Sequence, residues 1–136
     1  LLHDVGKIGV PDRILSKTGR LSDEEFSAIK MHPTMSVKII EPLPHLAKIV
    51  PVIYHHHEHY DGTGYVDGKS GDKIPLGSRI IAAADAYEAM TSDRPYRKAL
   101  SREQAMAKLQ RNSGTQFDPM VVGLFLDLLE RASQRE

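Results

Sequence analysis

His3 and Asp4 stand side by side in the run Leu1-Leu2-His3-Asp4-Val5-Gly6-Lys7, and they open a recurring set of imidazoles and carboxylates. His32 stands alone before Pro33. His55, His56 and His57 run together before Glu58. Asp85 interrupts the apolar stretch Ile80-Ile81-Ala82-Ala83-Ala84-Asp85-Ala86-Tyr87. The chain has no cysteine, so a metal held by these side chains would meet only nitrogen and oxygen. Such ligands suit Mn, Fe, Co, Ni or Zn. Two ions sharing them can hold a phosphate and generate hydroxide near neutral pH.

Each position is weaker alone than in company. A His-Asp pair also fits a helix-end histidine beside a surface aspartate, yet adjacent side chains can reach one point beyond a helix edge. A carboxylate there can bridge two ions while the imidazole holds one. Of three consecutive histidines on a helix, only one or two can face a single site, so an exposed third is expected. His45 and His59 carry no supporting pattern and read as surface residues. The neighbours of Asp85 predict a helix buried nearly all round. An ionised carboxylate there is costly unless it is paired or coordinates a metal. Beyond that helix, Arg94, Arg97 and Lys98 form a compact positive cluster that can grip phosphate oxygens or form salt bridges. Lys7, three residues after Asp4, can neutralise charge developing on a phosphate or remain a solvated surface lysine.

The elements that must position these groups read as helices. Residues 1–5 look like a helix end closed by Gly6, with Gly9 and Pro11 keeping the next stretch irregular. Ser22-Asp23-Glu24-Glu25 is a capping box that opens a helix to about Lys30. A second helix starts near Pro33 and ends before Pro42. A third spans about 45–57, with Pro51 in its first turn or kinking it. Residues 59–75 hold four glycines and read as a long ordered loop, and such loops are commonly functional. Helix resumes from Leu76 to about Thr91. Ser101 caps another to about Asn112, ended by Gly114. Asp118-Pro119 starts the last, whose Val121, Val122, Leu124, Phe125, Leu128 and Leu129 fit one face. The tail 131–136 is expected to fray. No strand, repeat, linker or second domain is legible.

With 136 residues the chain is one domain or part of one. Its formal net charge is zero, so no broad basic surface argues for a nucleic-acid polymer or an anionic membrane. Any anionic substrate must be met by local charge. No apolar run approaches the roughly 18 residues of a membrane span. The chain opens directly on His3-Asp4, from which we expect a fragment lacking an upstream portion.

These motifs together resemble the HD-GYP phosphodiesterases, a bacterial branch of the HD superfamily of metal-dependent phosphohydrolases. The resemblance runs through Leu-Leu-His-Asp-Val-Gly-Lys-Ile-Gly-Val-Pro-Asp, Met-His-Pro, His-His-His-Glu-His-Tyr-Asp-Gly-Thr-Gly-Tyr, Ile-Pro-Leu-Gly-Ser-Arg-Ile, Ala-Asp-Ala-Tyr-Glu-Ala-Met-Thr-Ser-Asp-Arg-Pro-Tyr-Arg and Gly-Thr-Gln-Phe-Asp-Pro. It implies an all-α helical bundle over residues 1–136, N-terminally truncated, with the Gly-rich loop near the metal site. It implies two or three divalent ions, iron or manganese, and cytoplasmic hydrolysis of cyclic di-GMP to pGpG and on to GMP. By motif position the metal ligands are His3, Asp4, His32, His56, His57 and Asp85, with Asp4 bridging. His56 and His57 are preferred to His55 because they directly precede Glu58. Lys7 and Asp4 take the catalytic roles. Arg94 and Arg97 hold substrate phosphates, and Gly64 and Tyr65 belong to the loop that shapes the site and contacts a diguanylate cyclase partner. A sensory or receiver domain is expected upstream, together with a helix supplying a further ligand. Position 66 is Val where the family pattern has Pro, which removes a fixed φ from the loop. The alternative is a catalytically inactive output module that binds nucleotide or a cyclase partner. Asp4→Ala separates the two, since it should abolish hydrolysis and spare partner binding.

Overall fold

The computed structural model describes residues 2–94 and 97–134; Leu1, Pro95, Tyr96, Arg135 and Glu136 lie outside it. Local capping signals explain three of the seven α-helices found there. Ser22 accepts from the Glu25 amide while the Glu25 side chain reaches back to the Ser22 N–H, and this box opens α2, Asp23–Lys30. A second box, Ser101 with Gln104, opens α6, Arg102–Arg111. Asp118 caps the amides of Met120 and Val121 at the start of α7, Pro119–Ser133. The remaining helices are α1, Asp12–Leu15; α3, His32–Ile40; α4, Val50–Tyr54; and α5, Leu76–Thr91. Three 3-10 segments, Leu2–Gly9, Pro44–Ile49 and Gly71–Lys73, complete an all-α architecture with no strand among the described residues. Among the described residues no helix is long and apolar enough to cross a membrane.

Two packing centres organise these elements. α5, α6 and α7 close around Ala83, Leu109, Phe117, Val121 and Val122, with Tyr87 and Phe125 edge-to-face against them. The N-terminal 3-10 segment lies on α3, and Val10, Ile14 and Ile40 are buried in that half. α4 and α5 join the halves. The Ser78 hydroxyl donates to the Val52 carbonyl at 2.7 Å, and a Cβ at Gly77 would come within 2.9 Å of the Val52 methyls. A glycine is what lets the two helices cross this closely.

Several expectations need correction. Residues 2–9 are one 3-10 segment that continues through Gly6, because Gly6 serves close packing there and not termination. The single helix expected over 45–57 is two pieces, 3-10 and then α, with Pro51 in the first turn of α4. α4 ends at Tyr54, so His55, His56 and His57 sit in a turn and not on a helix. α5 is not buried all round: Ile80 is about half exposed and the Asp85 side chain is 44% exposed. On α7, Leu124 and Leu128 face outward, since α5 and α6 cover only the Val121–Val122 side. The expected fraying begins too early, because α7 stays helical through Ser133.

Candidate metal centre

Backbone contact between two segments brings the first donors together. The Gly6 N–H donates to Ser36 Oγ at 2.8 Å, and the Ser36 hydroxyl donates to the His3 carbonyl at 3.1 Å. A Cβ at Gly6 would lie 2.1 Å from the His32 carbonyl oxygen and 2.4 Å from the Ser36 nitrogen. Only glycine permits that approach. It sets Asp4 Oδ1 3.4 Å from His32 Nε2, while Asp4 Oδ2 accepts from Lys7 Nζ at 2.7 Å. Ser36 carried no sequence signal, because a buried serine in a helix has no local signature.

The histidine tautomers follow from their partners. His32 Nδ1 lies 2.7 Å from the Ile29 carbonyl and His56 Nδ1 lies 2.6 Å from the Ile53 carbonyl. Carbonyls only accept, so both Nδ1 atoms carry the proton and both Nε2 atoms present lone pairs. Those two lone pairs face each other, His32 Nε2 lying 3.4 Å from His56 Nε2, and His57 Nε2 lies 3.2 Å from His32 Nε2. Buried lone pairs facing one another are unfavourable unless a cation lies among them. One donor atom each from Asp4, His32, His56 and His57 falls within a 4.8 Å envelope. Donors about 2.1 Å from one ion span a similar width. The donor set therefore fits a divalent ion, with carbonyls orienting the imidazoles from behind.

His3 and Asp85 extend the cluster toward α5. His3 Nε2 lies 3.7 Å from Asp4 Oδ2 and 3.5 Å from Asp85 Oδ1, and it is buried without a hydrogen-bond partner. The six residues implied by the resemblance thus form one connected group, with Asp85 joined to it through His3.

Burial and charge tune the cluster toward its metal-ready protonation state. Burial opposes ionisation of Asp4, but the hydrogen bond and positive charge of Lys7 outweigh it and hold the carboxyl well below the usual carboxylate range. Burial pushes the His56 imidazole down to about 4. Burial, then the neighbouring His56 and His32, pushes His57 down to about 3. Neutral imidazoles and an ionised carboxylate are the forms that bind metal.

The 59–75 loop closes over one side. Its Gly64 backs onto the histidine turn, where a Cβ would meet the His59 nitrogen at 2.3 Å and the His57 carbonyl at 2.5 Å. The Tyr65 N–H donates to that carbonyl at 3.2 Å, and the Tyr65 ring stacks on His57. Burial, with the Asp4 charge behind it, raises the Tyr65 phenol to about 12. His55 leaves the cluster and faces the loop instead, its Nε2 3.2 Å from Asp67 Oδ2. Glu58 is buried, and its Oε1 accepts from the Asp67 N–H at 2.8 Å, pinning the loop's return. Sequence reading used Glu58 only as a landmark; an acidic residue inside a polar run gives no hint of burial.

A cleft of about 180 Å³ opens beside the cluster, walled by His56, His57, Asp85, Ala89 and Gln116. His59, read as a surface residue, also lines it and hydrogen-bonds Thr63. Arg97 donates to the Ala89 carbonyl at the rim. Arg94 sits farther out, 3.4 Å from Glu88 Oε2, and exchanges backbone hydrogen bonds with Arg97. Pro95 and Tyr96 of the same motif lie outside the described residues.

A family model described as HD domain matches residues 1–121. A cyclic di-GMP phosphodiesterase of Vibrio cholerae is 42% identical over 96% of this chain and 28% of its own length. One of Thermotoga maritima is 42% identical over 93% of this chain and 35% of its own. A 3'3'-cGAMP-specific phosphodiesterase of V. cholerae is 40% identical over 88% of this chain and 26% of its own. The chain thus spans about a third or less of the length of these relatives. Among solved structures, a cyclic GMP-AMP-specific phosphodiesterase of V. cholerae superposes with a TM-score of 0.67 at 19% identity, covering 95% of this chain and 36% of that one.

Proposed function

We propose that this chain, which belongs to the HD-domain family and to its HD-GYP branch, is the catalytic unit of a metal-dependent phosphodiesterase that opens a cyclic dinucleotide. Cyclic di-GMP is the first substrate and pGpG, then GMP, the products. The convergence of the Nε2 atoms of His32, His56 and His57 with Asp4, those of His32 and His56 being unprotonated, carries this reading. His3, Asp4, His32, His56, His57 and Asp85 would hold two or three ions, iron or manganese, with Asp4 between them. Such ions polarise phosphoryl oxygens and acidify water.

The protein's own groups supply the rest. Asp4 splits its two oxygens between His32 and the Lys7–His3 side, so it reaches both halves of the cluster. Lys7 is held against it and places a positive charge where a phosphodiester gains negative charge. Arg97, anchored to Ala89 at the rim, and Arg94 beside it can orient phosphate oxygens. Tyr65 and the Gly64 turn shield His57 from water. The 59–75 loop that carries Gly64 and Tyr65 is the surface offered to a diguanylate cyclase partner. The reaction takes place in the cytoplasm.

A second substrate, 3'3'-cGAMP, is favoured by one observation: a relative named for it is nearly as similar as those named for cyclic di-GMP. The test is elemental analysis of the anaerobically purified protein, then chromatography of products from both dinucleotides. Two or more ions per chain with cyclic di-GMP turnover, both lost in Asp4→Ala, supports the reading. Metal binding without turnover of either dinucleotide would leave the inactive output module.

A further inference from the structure

A second cavity adjoins the cleft beside the metal cluster. It holds about 270 Å³ and is walled by Ala86, Met90, Lys108, Asn112, Gln116 and Phe117. Ala86 and Gln116 line both spaces, so the two run on as one groove along α5 from Asp85 to α6. The first space alone falls short of the roughly 300–1,000 Å³ typical of small-molecule sites; with the second, the groove comes within that range.

The groove has a built wall. The strap between α6 and α7 folds back on itself, with Gly114 N–H donating to the Phe117 carbonyl at 2.8 Å and Phe117 N–H to the Asn112 carbonyl at 3.1 Å. It is also tied to the histidine loop: Tyr60 N–H donates to the Gln116 carbonyl at 3.1 Å and Asp61 N–H to the Thr115 carbonyl at 2.9 Å. These bonds fix Gln116 at the junction of the two spaces. Phe117 and the partly buried Met90 form an apolar floor. Lys108 and Asn112 supply a polar rim. The Asn112 amide nitrogen donates to the Lys108 carbonyl, and among the described residues the side chains of Lys108 and Gln116 make no hydrogen bond. An apolar floor with a few polar groups above it is the common form of a ligand site.

We infer that this distal space is a subsite for the second nucleotide of a cyclic dinucleotide, with its base on the Met90–Phe117 floor and Lys108 and Gln116 donating to its polar atoms. The inference rests on the phosphodiesterase reading and extends it, because it makes residues of α6 and the strap determinants of substrate length. A diester with no second nucleotide occupies only the space beside Asp85.

The test compares two substrates on the metal-loaded full-length protein: cyclic di-GMP, and bis(p-nitrophenyl) phosphate, which has no second nucleotide. Lys108→Met keeps the aliphatic stem and removes the charge at an exposed helix position. The ratio of kcat/KM for cyclic di-GMP to that for the short diester should fall about tenfold, mainly through KM, the loss expected for one hydrogen bond from a charged donor. Gln116→Ala should lower the same ratio. An unchanged ratio in both variants overturns the subsite. If the unaltered protein, metal-loaded, turns over neither substrate, the phosphodiesterase reading fails and the subsite falls with it; turnover of the short diester alone retains the phosphodiesterase and rejects the subsite.

Discussion

The rings of Tyr65 and His57 stack with centroids 4.9 Å apart and planes 18° from parallel. Tyr65 itself lies 5.4 Å under the Lys30 ammonium, which also sits 4.6 Å over Phe26. Lys30 of α2 thus reaches the candidate metal centre through an aromatic ring. Among the described residues no backbone carbonyl orients the His57 Nδ1 as those of Ile29 and Ile53 orient His32 and His56, so this stack is an orienting contact for it.

Tyr65→Phe should keep the stack and Tyr65→Ala should lose it. Contacts that orient a metal-binding imidazole are worth about 10–100-fold in affinity. Calorimetric Mn titration of the metal-free protein should show weakening of about tenfold or more for the alanine variant and little change for phenylalanine. Equal behaviour of the two would mean that the ring does not orient His57.

Gly6→Ala would drive a methyl into the His32 carbonyl and the Ser36 amide. Backbone cannot step aside as a flexible side chain can. Overpacking of this kind costs about 1–3 kcal/mol or more. The thermal midpoint, followed by circular dichroism, should drop by at least about 5 °C. An unchanged midpoint would mean that the His3–Asp4 segment is not seated on α3.

The buried histidines set a pH dependence for the metal-free protein. His56 and His57 titrate near 4 and near 3 in the folded chain against 6.5 for an ordinary imidazole. Between those values the unfolded chain binds protons that the folded chain refuses. Stability must then rise with pH, and it falls as pH drops from 7 toward 4. His56 alone contributes on the order of 3 kcal/mol across its window. Asp4 does not mask the effect, because its depressed pKa removes stability only below 3.8. Urea midpoints at pH 7, 6 and 5 should decline in order; a flat series would contradict the burial of these rings.

Asp118 has two jobs at the start of α7. It caps Met120 and Val121, and it accepts from the Arg79 guanidinium, which also reaches Asp72. Asp118→Ala loses the cap and leaves Arg79 without its buried partner. A loss of about 3–5 kcal/mol in urea unfolding is expected. A loss under 1 kcal/mol would show the pair to be replaceable by solvent.

What was legible in the sequence was local. Ser22, Ser101 and Asp118 announce their helices because a cap needs only its own first turn. The six candidate donors came from motif order shared with a known family, since the chain holds 18 acidic residues and seven histidines and residue type alone does not select among them. What stayed hidden depends on distant neighbours. Asp85 lies in an apolar run, yet it is 44% exposed, since α5 turns that side toward the cleft. Leu124 and Leu128 share the apolar pattern of α7, but the fold covers only part of that stripe. Ser36 and Glu58 anchor the site through contacts with Gly6 and Asp67, and no spacing rule reports those.

The donors of the cluster arrive from Leu2–Gly9, α3, the turn after α4, and α5. No single hairpin or helix pair assembles them. Closing such loops costs conformational entropy before any contact repays it. Ion capture by these residues is therefore expected late in folding, as a latch and not a nucleus. Added Mn should leave the refolding arm of a chevron plot unmoved and slow the unfolding arm, so the metal would set how long the folded state lasts and not how soon it forms.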